Sequence, residues 1–372
     1  MLHNVGWTTY GENHQHSDRH EGDIINLYAL TMTFNQRETT EPLENTMDGN
    51  SEVTTLMESK PRYQTSHGAA YQGDSRDLLE ELPEGSIDLC VTSPPFGLRK
   101  KKEYGNKDPD DYNEWFLDFA EKVERVLTDE GSFVVDIGGG WEKGKPVRSL
   151  YHFKLLIMLA DDDGPFNLAQ DFYWYNPAKL PTPAQWVTIE RIRAKDAVNH
   201  VWWLSKGERP KADNTRVLQE YSDSQQDLME NGYKDKLRPS GHDISDKFDD
   251  PKENGSIPPN LMEFANTASN THYLEACREM EVDSHPARFP QQLPEFFIRF
   301  LTEPDDTVLD IFGGSNTTGR VAQDLERQWL TFEYQERYLE TSKFRFIPME
   351  EIKRDDNQKI FEDFAAISDL DD

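Results

Sequence analysis

Four consecutive residues, Ser93, Pro94, Pro95 and Phe96, combine groups that could hold a planar ligand bearing an amine. Ser93 supplies a hydroxyl, Pro94 a carbonyl that no turn consumes, and Phe96 an aromatic face. An exocyclic amine donates two hydrogen bonds to oxygens, and its ring can stack on a phenylalanine. The tetrapeptide therefore suits a nucleobase flipped out of a helix. A Pro-Pro turn that simply closes a strand is the alternative interpretation.

The preceding segment determines where this tetrapeptide lies. Residues 87–91 form an apolar run that predicts a buried strand. The prolines end that strand because neither can donate to a β-ladder. Since α/β sheets bind ligands at the carboxyl ends of their strands, we expect the tetrapeptide at such an edge.

A second motif lies near the other end of the chain. Residues 307–319 predict a strand, a glycine turn and a helix that continues to residue 325, and residues 329–333 predict another strand. Glycines let a ligand approach the backbone, and a helix N-terminus favours a carboxylate. Glu333 follows the turn by about 20 residues, where an acid can bind ribose hydroxyls. This arrangement favours a nucleoside-type cofactor over a purely structural turn.

Residues 71–346 resemble the DNA cytosine-N4 methyltransferases of the permuted β group. The tetrapeptide at 93–96 and the sequence DIFGGS at 310–315 carry the likeness. Many amino-methyltransferases instead have proline after the aspartate and a Gly-Ser-Gly turn, but a branch of the family shares this variant. Further matches occur in the same order along the chain: 73–75 (GDS), 99–106 (RKKKEYGN), 131–136 (GSFVVD), 171–174 (DFYW), 195–199 (KDAVN), 238–244 (RPSGHDI), 255–261 (GSIPPNL) and 285–290 (HPARFP).

The resemblance implies an α/β fold. Its core would be a Rossmann-like methyltransferase sheet that depends on S-adenosylmethionine, circularly permuted and interrupted by a target-recognition lobe. The permutation is expected because Ser93 precedes Asp310 by 217 residues, so the catalytic half comes before the cofactor half.

Composition and periodicity, together with the resemblance, divide the chain into five parts. Residues 1–60 lack periodicity and hold ten acidic residues against three Lys or Arg, so we expect a disordered acidic extension. Deleting residues 1–56 should then leave the fold intact. The other parts are a catalytic half at 61–206, a target-recognition lobe at 207–284, a cofactor half at 285–348 and an acidic tail at 349–372.

The resemblance also implies roles for individual residues. The Ser93 hydroxyl and the Pro94 carbonyl would accept the amine, Pro95 would complete the turn and Phe96 would stack on the base. Asp136 would contact the target or its proton path. The residues expected to bind S-adenosylmethionine are Asp74, Phe289, Pro290, Asp310, Phe312, Gly313, Gly314, Ser315, Asn316 and Glu333. Asp74 could instead cap a helix, and Phe289 could belong to the core.

The charge of the chain is unusual for a protein that binds DNA. It has 40 Lys and Arg against 70 Asp and Glu, a formal net charge of −30. Either the protein avoids nucleic acid, or it works in molar salt, where charges are screened within about 3 Å. We favour the halophilic interpretation because basic residues cluster beside the motifs. The predicted contacts to double-stranded DNA are Arg99, Lys100, Lys101, Lys102, Arg191, Arg193 and Lys195.

Other features narrow the class of protein. Two cysteines, Cys90 and Cys277, exclude a disulfide framework and a cysteine-ligated zinc site, and the histidines show no metal spacing. No stretch approaches the roughly 18 apolar residues of a membrane span. The run at 153–160 is shorter and predicts a buried helix. We therefore expect a cytoplasmic, monomeric protein without metal.

The resemblance, carried by the motifs at 93–96 and 310–315, implies an enzyme that methylates cytosine N4 in a short palindromic duplex site. The resemblance suggests a site containing GC, with CAGCTG as the expected sequence. The enzyme would protect that site from a restriction endonuclease or act alone. Serine in the first motif position favours cytosine over adenine in this family. Adenine-N6 methylation, methylation of a protein glutamine and an inactive DNA-binding relative remain alternatives.

Overall fold

The computed structural model describes residues 51–97, 109–231, 255–267 and 271–352 of the 372-residue chain. Nine strands occur in these ranges: β1 (Tyr63–Gln64), β2 (Gly68–Gln72), β3 (Ile87–Thr92), β4 (Leu127–Ile137), β5 (Asn167–Tyr175), β6 (Val198–Ser205), β7 (Leu261–Glu263), β8 (Thr307–Asp310) and β9 (Gln328–Glu333). The α-helices there are α1 (Ser75–Glu81), α2 (Pro109–Val126), α3 (Tyr151–Ala160), α4 (Asp223–Asn231), α5 (His272–Glu279), α6 (Gln292–Leu301), α7 (Thr317–Asp324), α8 (Glu336–Ser342) and α9 (Met349–Ile352).

Shorter helical segments lie between these elements. Three are 3₁₀-helices, at Glu52–Leu56, Asn214–Val217 and Lys343–Arg345, and Gln185–Ile189 forms one turn of π-helix.

The strands form one sheet in the order β1-β2-β9-β8-β3-β4-β6-β5-β7. Strands β2, β9, β8, β3 and β4 are parallel, and β6 is antiparallel to both β4 and β5. β3 pairs with β8 in a register that places Cys90 opposite Leu309. The two predicted motif strands are therefore neighbours, although they come from distant parts of the chain. This confirms the predicted α/β sheet in its permuted order.

Helices cover the sheet with their apolar stripes. The helical spacing predicted for residues 111–127 corresponds to α2, which buries Tyr112, Phe116, Phe119 and Val123 against the sheet. Each such aromatic or aliphatic side chain contributes about 1.5–3 kcal/mol on burial. The core strands are apolar on both faces, as expected for a parallel sheet covered on both sides.

The folded part of the chain includes residues that we expected to be disordered. Residues 51–60 pack on the sheet, where Val53 and Met57 are buried in the main hydrophobic core. The Ser51 hydroxyl donates a hydrogen bond of 2.9 Å to the Gln328 side chain. The boundary at residue 60 therefore needs correction. Residues 1–50 lie outside the described ranges.

Both ends of the expected target-recognition lobe belong to the main body. Lys211 forms an ion pair of 2.6 Å with Asp306, and the Asp213 amide donates to the Phe300 carbonyl in α6. Strand β7 extends the central sheet, and α5 packs near the C-terminal helices. The prediction of a separate lobe at 207–284 is therefore wrong for its described residues, 207–231, 255–267 and 271–284. Residues 232–254 and 268–270 are not described.

Two further expectations change at the helices. Ile352 of α9 is buried in the same hydrophobic cluster as Tyr273, so residues 349–352 belong to the folded body rather than to the expected acidic tail; residues 353–372 lie outside the described ranges. In α3, Phe153 and Ile157 are 42% and 59% exposed, so this helix is only half-buried. Among the described helices, none is both long and apolar enough for a membrane span.

Candidate active site

A cleft of about 600 Å³ lies at the carboxyl ends of β2, β3, β4, β8 and β9 and at the start of β6. This volume is in the usual range for small-molecule sites. The cleft combines residues from both halves of the chain. Those predicted from the sequence are Asp74, Ser93, Pro94, Pro95, Phe96, Asp136, Phe289, Phe312, Gly313, Gly314, Ser315 and Glu333.

The tetrapeptide that follows β3 forms one wall of the cleft. The Ser93 hydroxyl donates a hydrogen bond of 3.0 Å to Asp136, which leaves its oxygen lone pairs able to accept. The Pro94 carbonyl accepts no hydrogen bond from any described residue. The Phe96 ring packs on Gly138, where a Cβ would clash with it. The two acceptors and the aromatic face therefore share one wall.

Asp136 is the buried acid of this wall. It is only 2% exposed, and burial raises its pKa to about 6. The second carboxylate oxygen accepts from the Asn199 amide at 3.0 Å. The Lys179 ammonium donates to the Asn199 side-chain oxygen at 3.2 Å, and its charge favours the ionised carboxylate. The group is therefore a carboxylate above about pH 6 and can receive a proton.

The glycine turn follows β8 and forms the opposite part of the cleft. A Cβ on Gly313 would overlap the Thr331 side chain. Gly314 has φ +50°, and a Cβ there would lie 3.1 Å from the His285 ring. Both positions therefore require glycine, by close packing at Gly313 and by conformation at Gly314.

Glu333 ends β9 beside this turn. Its two carboxylate oxygens each accept a hydrogen bond from a backbone N–H group, one from Gly314 at 2.8 Å and the other from Gln335 at 2.7 Å. Burial raises the pKa of Glu333, and these two hydrogen bonds oppose that effect. Because each carboxylate oxygen can accept more than one hydrogen bond, Glu333 can still bind a diol in the cleft.

Three aromatic side chains form a further part of the cleft lining. Phe312 lies 5.0 Å from Phe119 and 5.8 Å from Trp115, measured between ring centroids. All three line the cleft, and they offer an apolar face to a planar ring. Together with the glycine turn and Glu333, these side chains fit a nucleoside.

Two residues predicted at the cofactor site lie behind it. Asp310 is 1% exposed and does not line the cleft; it accepts hydrogen bonds from Thr92, Thr318 and the Phe312 amide. Asn316 is fully buried. Its side chain accepts from Gly319 and Thr331 and donates to Tyr63. The structure therefore places both residues behind the cleft lining, where their polar atoms hold the turn.

The remaining predicted cofactor residues lie at the margin of the cleft. Asp74 lines it and also caps α1, accepting from the Arg76 amide and forming a 2.6 Å ion pair with Arg76. Phe289 lines the cleft, whereas Pro290 is buried outside the lining. Contact between Pro290 and a cofactor stays a prediction.

The predicted DNA contacts lie partly outside the described ranges. Arg99, Lys100, Lys101 and Lys102 are not described. Arg193 stacks on Trp141, with 3.7 Å from the guanidinium carbon to the ring centroid, and donates to the Pro146 carbonyl. Lys195 donates to the carbonyls of Pro177 and Lys179. Arg191 is exposed. Two of these cations therefore stabilise the loop that carries them.

This loop forms one body with the loop after β4. The rings of Trp141 and Trp186 lie 5.8 Å apart, and Arg148 forms an ion pair of 3.0 Å with Asp196. Residues 141–148 and 176–196 together hold seven Lys or Arg against three Asp or Glu. We call these two segments the basic rim, because Asn176 and Lys179 line the cleft where the second segment begins.

Sequence reasoning missed several residues that the fold brings into the cleft. Asn199 begins β6, and the pairing of β6 with β4 places it beside Asp136. Its only signal was the matching stretch at 195–199. Trp174 lies in β5, and its only signal was the matching stretch at 171–174. Lys179 follows β5 and had no signal in the sequence.

Comparison with known proteins extends this picture. Residues 87–344 match the family model described as DNA methylase (N6_N4_Mtase). Type II methyltransferase M.PvuII of Proteus hauseri is 56% identical over 292 residues, which cover 77% of this chain and 86% of that protein. Type II methyltransferase M.BglII of Bacillus subtilis is 28% identical over 277 residues, covering 73% and 66%.

A solved structure gives the same result. The PvuII DNA methyltransferase (cytosine-N4-specific) superposes with a TM-score of 0.66 at 48% identity, covering 82% of this chain and 95% of that one. The family model spans more than half of the chain, and M.PvuII is similar over most of its length. The chain therefore belongs to the N6_N4_Mtase family of DNA methylases.

Proposed function

We propose that the protein transfers a methyl group from S-adenosylmethionine to the N4 amine of a cytosine in duplex DNA. One observation carries this proposal: the Ser93–Asp136 pair opens into the same cleft as the glycine turn and Glu333. Groups that can accept an amine and groups that can bind a nucleoside thus line the same cavity. The similarity to M.PvuII, whose solved structure is named cytosine-N4-specific, supports cytosine as the target.

The cleft fits the proposed cofactor. Glu333 would bind the ribose hydroxyls, Phe312 with Trp115 and Phe119 would face the adenine, and Gly313 and Gly314 would let the backbone approach. Asp74 and Phe289 would bound the site. When bound, S-adenosylmethionine supplies an electrophilic methyl group. The protein would orient that group towards the target and exclude water.

The opposite wall orients and deprotonates the target. The N4 amine is a weak nucleophile because its lone pair is delocalised into the ring. Two hydrogen bonds, to the Ser93 hydroxyl and the Pro94 carbonyl, would fix its direction, while Phe96 stacks on the base. The Ser93 hydroxyl would pass the released amine proton to Asp136, to which it is already bonded. Asp136 must be ionised for this step.

The basic rim gives duplex DNA a place to bind. It lies beside the cleft, where the flipped cytosine must enter, and its positive charge contrasts with the net charge of the chain. Arg191 would contact phosphates, while Arg193 and Lys195 hold the rim in shape. Leu180, Ile189 and Ile192 are also exposed on the rim and would contact the duplex.

We expect CAGCTG as the target, from the family resemblance. A partner restriction endonuclease, a monomeric state and a cytoplasmic, high-salt setting complete the proposal. Adenine-N6 methylation remains the second candidate because the family model includes both amines.

The test uses methyl-tritiated S-adenosylmethionine with two duplexes at high salt, one containing CAGCTG and one containing CACGTG. Digestion to nucleosides should recover the label as N4-methylcytosine from the first duplex only. Label in N6-methyladenine would support the second candidate. Label in protein, or in neither duplex, would contradict the proposal. Ser93→Ala is the matched inactive control.

A further inference from the structure

One buried cation beside the glycine turn has no acidic partner within the described ranges. Arg345 is only 7% exposed. Its guanidinium donates to the Ser315 carbonyl, to the Ser315 hydroxyl at 2.8 Å and to the Thr317 hydroxyl at 2.9 Å. The aromatic ring of Tyr273 lies 4.7 Å from the guanidinium carbon. All these partners are neutral.

A buried charge with only neutral partners is costly unless something compensates it. Burial lowers the pKa of Arg345 to about 10, so the guanidinium is still protonated at neutral pH. Two other cations lie nearby: Arg288 lowers the pKa of Arg345, and both Arg288 and Arg337 lower that of His285. Burial is the main cause at His285, whose pKa falls to about 4, so this histidine is neutral.

The hydrogen bonds of Arg345 also determine how the turn presents its hydroxyls. Ser315 and Thr317 both line the cleft. Because each hydroxyl accepts from Arg345, its proton is directed elsewhere. The two oxygens lie 3.4 Å apart, so at most one proton bridges them. At least one hydroxyl proton is left to donate to a ligand, next to the N-terminus of α7.

We propose that Arg345 is a positioning residue for the carboxylate of the cofactor's methionine moiety. Acting through Ser315 and Thr317, it would direct hydroxyl donors at the carboxylate and supply the opposite charge. Glu333 contacts the turn at Gly314 and Arg345 contacts it at Ser315. The ribose and the methionine carboxylate of the cofactor would thus be recognised on adjacent residues of one turn. The inference rests on the proposed cofactor.

The test compares two ligands that differ only in the carboxylate, S-adenosylmethionine and its decarboxylated form. Equilibrium binding to the full-length wild-type protein, measured by calorimetry in high salt, should favour S-adenosylmethionine by about tenfold or more, as for one charge-assisted hydrogen bond. Arg345→Met should lose that preference, mainly through weaker binding of S-adenosylmethionine. Arg345→Lys keeps the positive charge but loses the several guanidinium donors, so it should retain part of the preference for S-adenosylmethionine.

Arg327→Met is the matched control. Arg327 is also 7% exposed and donates to the Thr302 carbonyl, the Thr302 hydroxyl and the Leu325 carbonyl. It directly precedes β9, so it lies at the amino-terminal end of that strand, whereas the cleft lies at the carboxyl-terminal ends. Its loss should affect stability but leave the preference between the two ligands unchanged.

Two results would overturn the inference. One is a wild-type protein that binds both ligands equally, which needs no variant to fold. The other is Arg345→Met that folds and keeps the full preference. Both results come from ligand binding and do not depend on methyl transfer. A protein that prefers S-adenosylmethionine but leaves DNA unlabelled would therefore contradict the proposed function and leave the inference about Arg345 standing.

Discussion

The Thr92 hydroxyl donates a hydrogen bond of 2.7 Å to the Asp310 carboxylate, across 218 positions of sequence. Thr92 ends the strand before the tetrapeptide, and Asp310 ends the strand before the glycine turn. Both side chains are buried. This bond joins the two motifs beneath the cleft, so the acceptor wall and the cofactor turn are held at a fixed separation.

Thr92→Val should weaken this junction. Valine keeps the shape but leaves one Asp310 oxygen without its hydroxyl donor, at a cost of about 1–3 kcal/mol in the free energy of unfolding. Denaturant unfolding at constant salt measures this cost. Thr55→Val, which removes an exposed hydroxyl bonded to the Glu52 carbonyl, is the control and should change little. Equal stability of the two variants would show that the bond contributes nothing.

Ser93→Ala should abolish methyl transfer while S-adenosylmethionine still binds. The Ser93 hydroxyl contacts Asp136, whereas the glycine turn and Glu333 lie on the other wall. Turnover with duplex DNA and equilibrium binding of the cofactor separate the two effects. Ser86→Ala, whose hydroxyl bonds the Pro83 carbonyl, is the control. Wild-type turnover in Ser93→Ala would refute the assignment, and a partial loss would leave the Pro94 carbonyl as the main acceptor.

Lys179→Met should move the acidic limb of the pH–rate profile to higher pH. Burial raises the pKa of Asp136 to about 6, and the Lys179 ammonium opposes that shift by favouring the carboxylate. Without the ammonium, the pKa of Asp136 rises further, and activity should fall at a pH higher by roughly one unit.

Measuring turnover from pH 5 to 9 checks this expectation. Lys179→Arg should restore the wild-type profile, and Lys143→Met, which changes an exposed lysine of the basic rim, should not move the limb. A lower rate with an unmoved limb would mean that Lys179 acts only by packing.

Truncation should be tolerated only up to residue 50. Val53 is 4% exposed within the core, so deleting residues 1–56 removes part of the fold. We expect this deletion, compared with deletion of residues 1–50, to lower the free energy of unfolding by about 1–3 kcal/mol. Val53→Ala should reproduce part of the loss, whereas Val147→Ala, which is 50% exposed, should not. If both truncated proteins are equally stable, the extension outside the fold would reach to about residue 60, as the sequence predicted.

Salt should activate the enzyme. At low salt a chain with a net charge of −30 repels both itself and DNA. In molar KCl the repulsion is screened, while base contacts and stacking on Phe96 persist, so we expect an optimum above about 1 M. Turnover across a KCl series, with tryptophan fluorescence to follow unfolding, decides this. Full activity at 0.1 M with steady decline above would contradict the halophilic interpretation.

The sequence alone predicted which strands carry the residues of the candidate active site. Strand patterns and glycine positions predicted β3, β8 and β9 and placed Ser93, Phe96, Gly313 and Glu333 after or at the ends of strands. These signals are local: apolar runs, prolines that end a ladder, and glycines where no side chain fits. The same local signals failed at residues 51–60, where only a few apolar side chains, such as Val53, join a distant core.

Tertiary structure decided which polar groups face the cleft. Asp310 and Asn316 stand in the motif, yet Thr92, Thr331 and Tyr63 use their polar atoms from other parts of the chain. Conversely, Lys179 and Arg345 lie outside every stretch that matches the family, and Asn199 is only the last residue of one. They reach the site because β6 runs beside β4 and because the chain after α8 returns to the turn. A side chain's role depends on the partners that saturate or orient it, and pairing between distant segments supplies those partners.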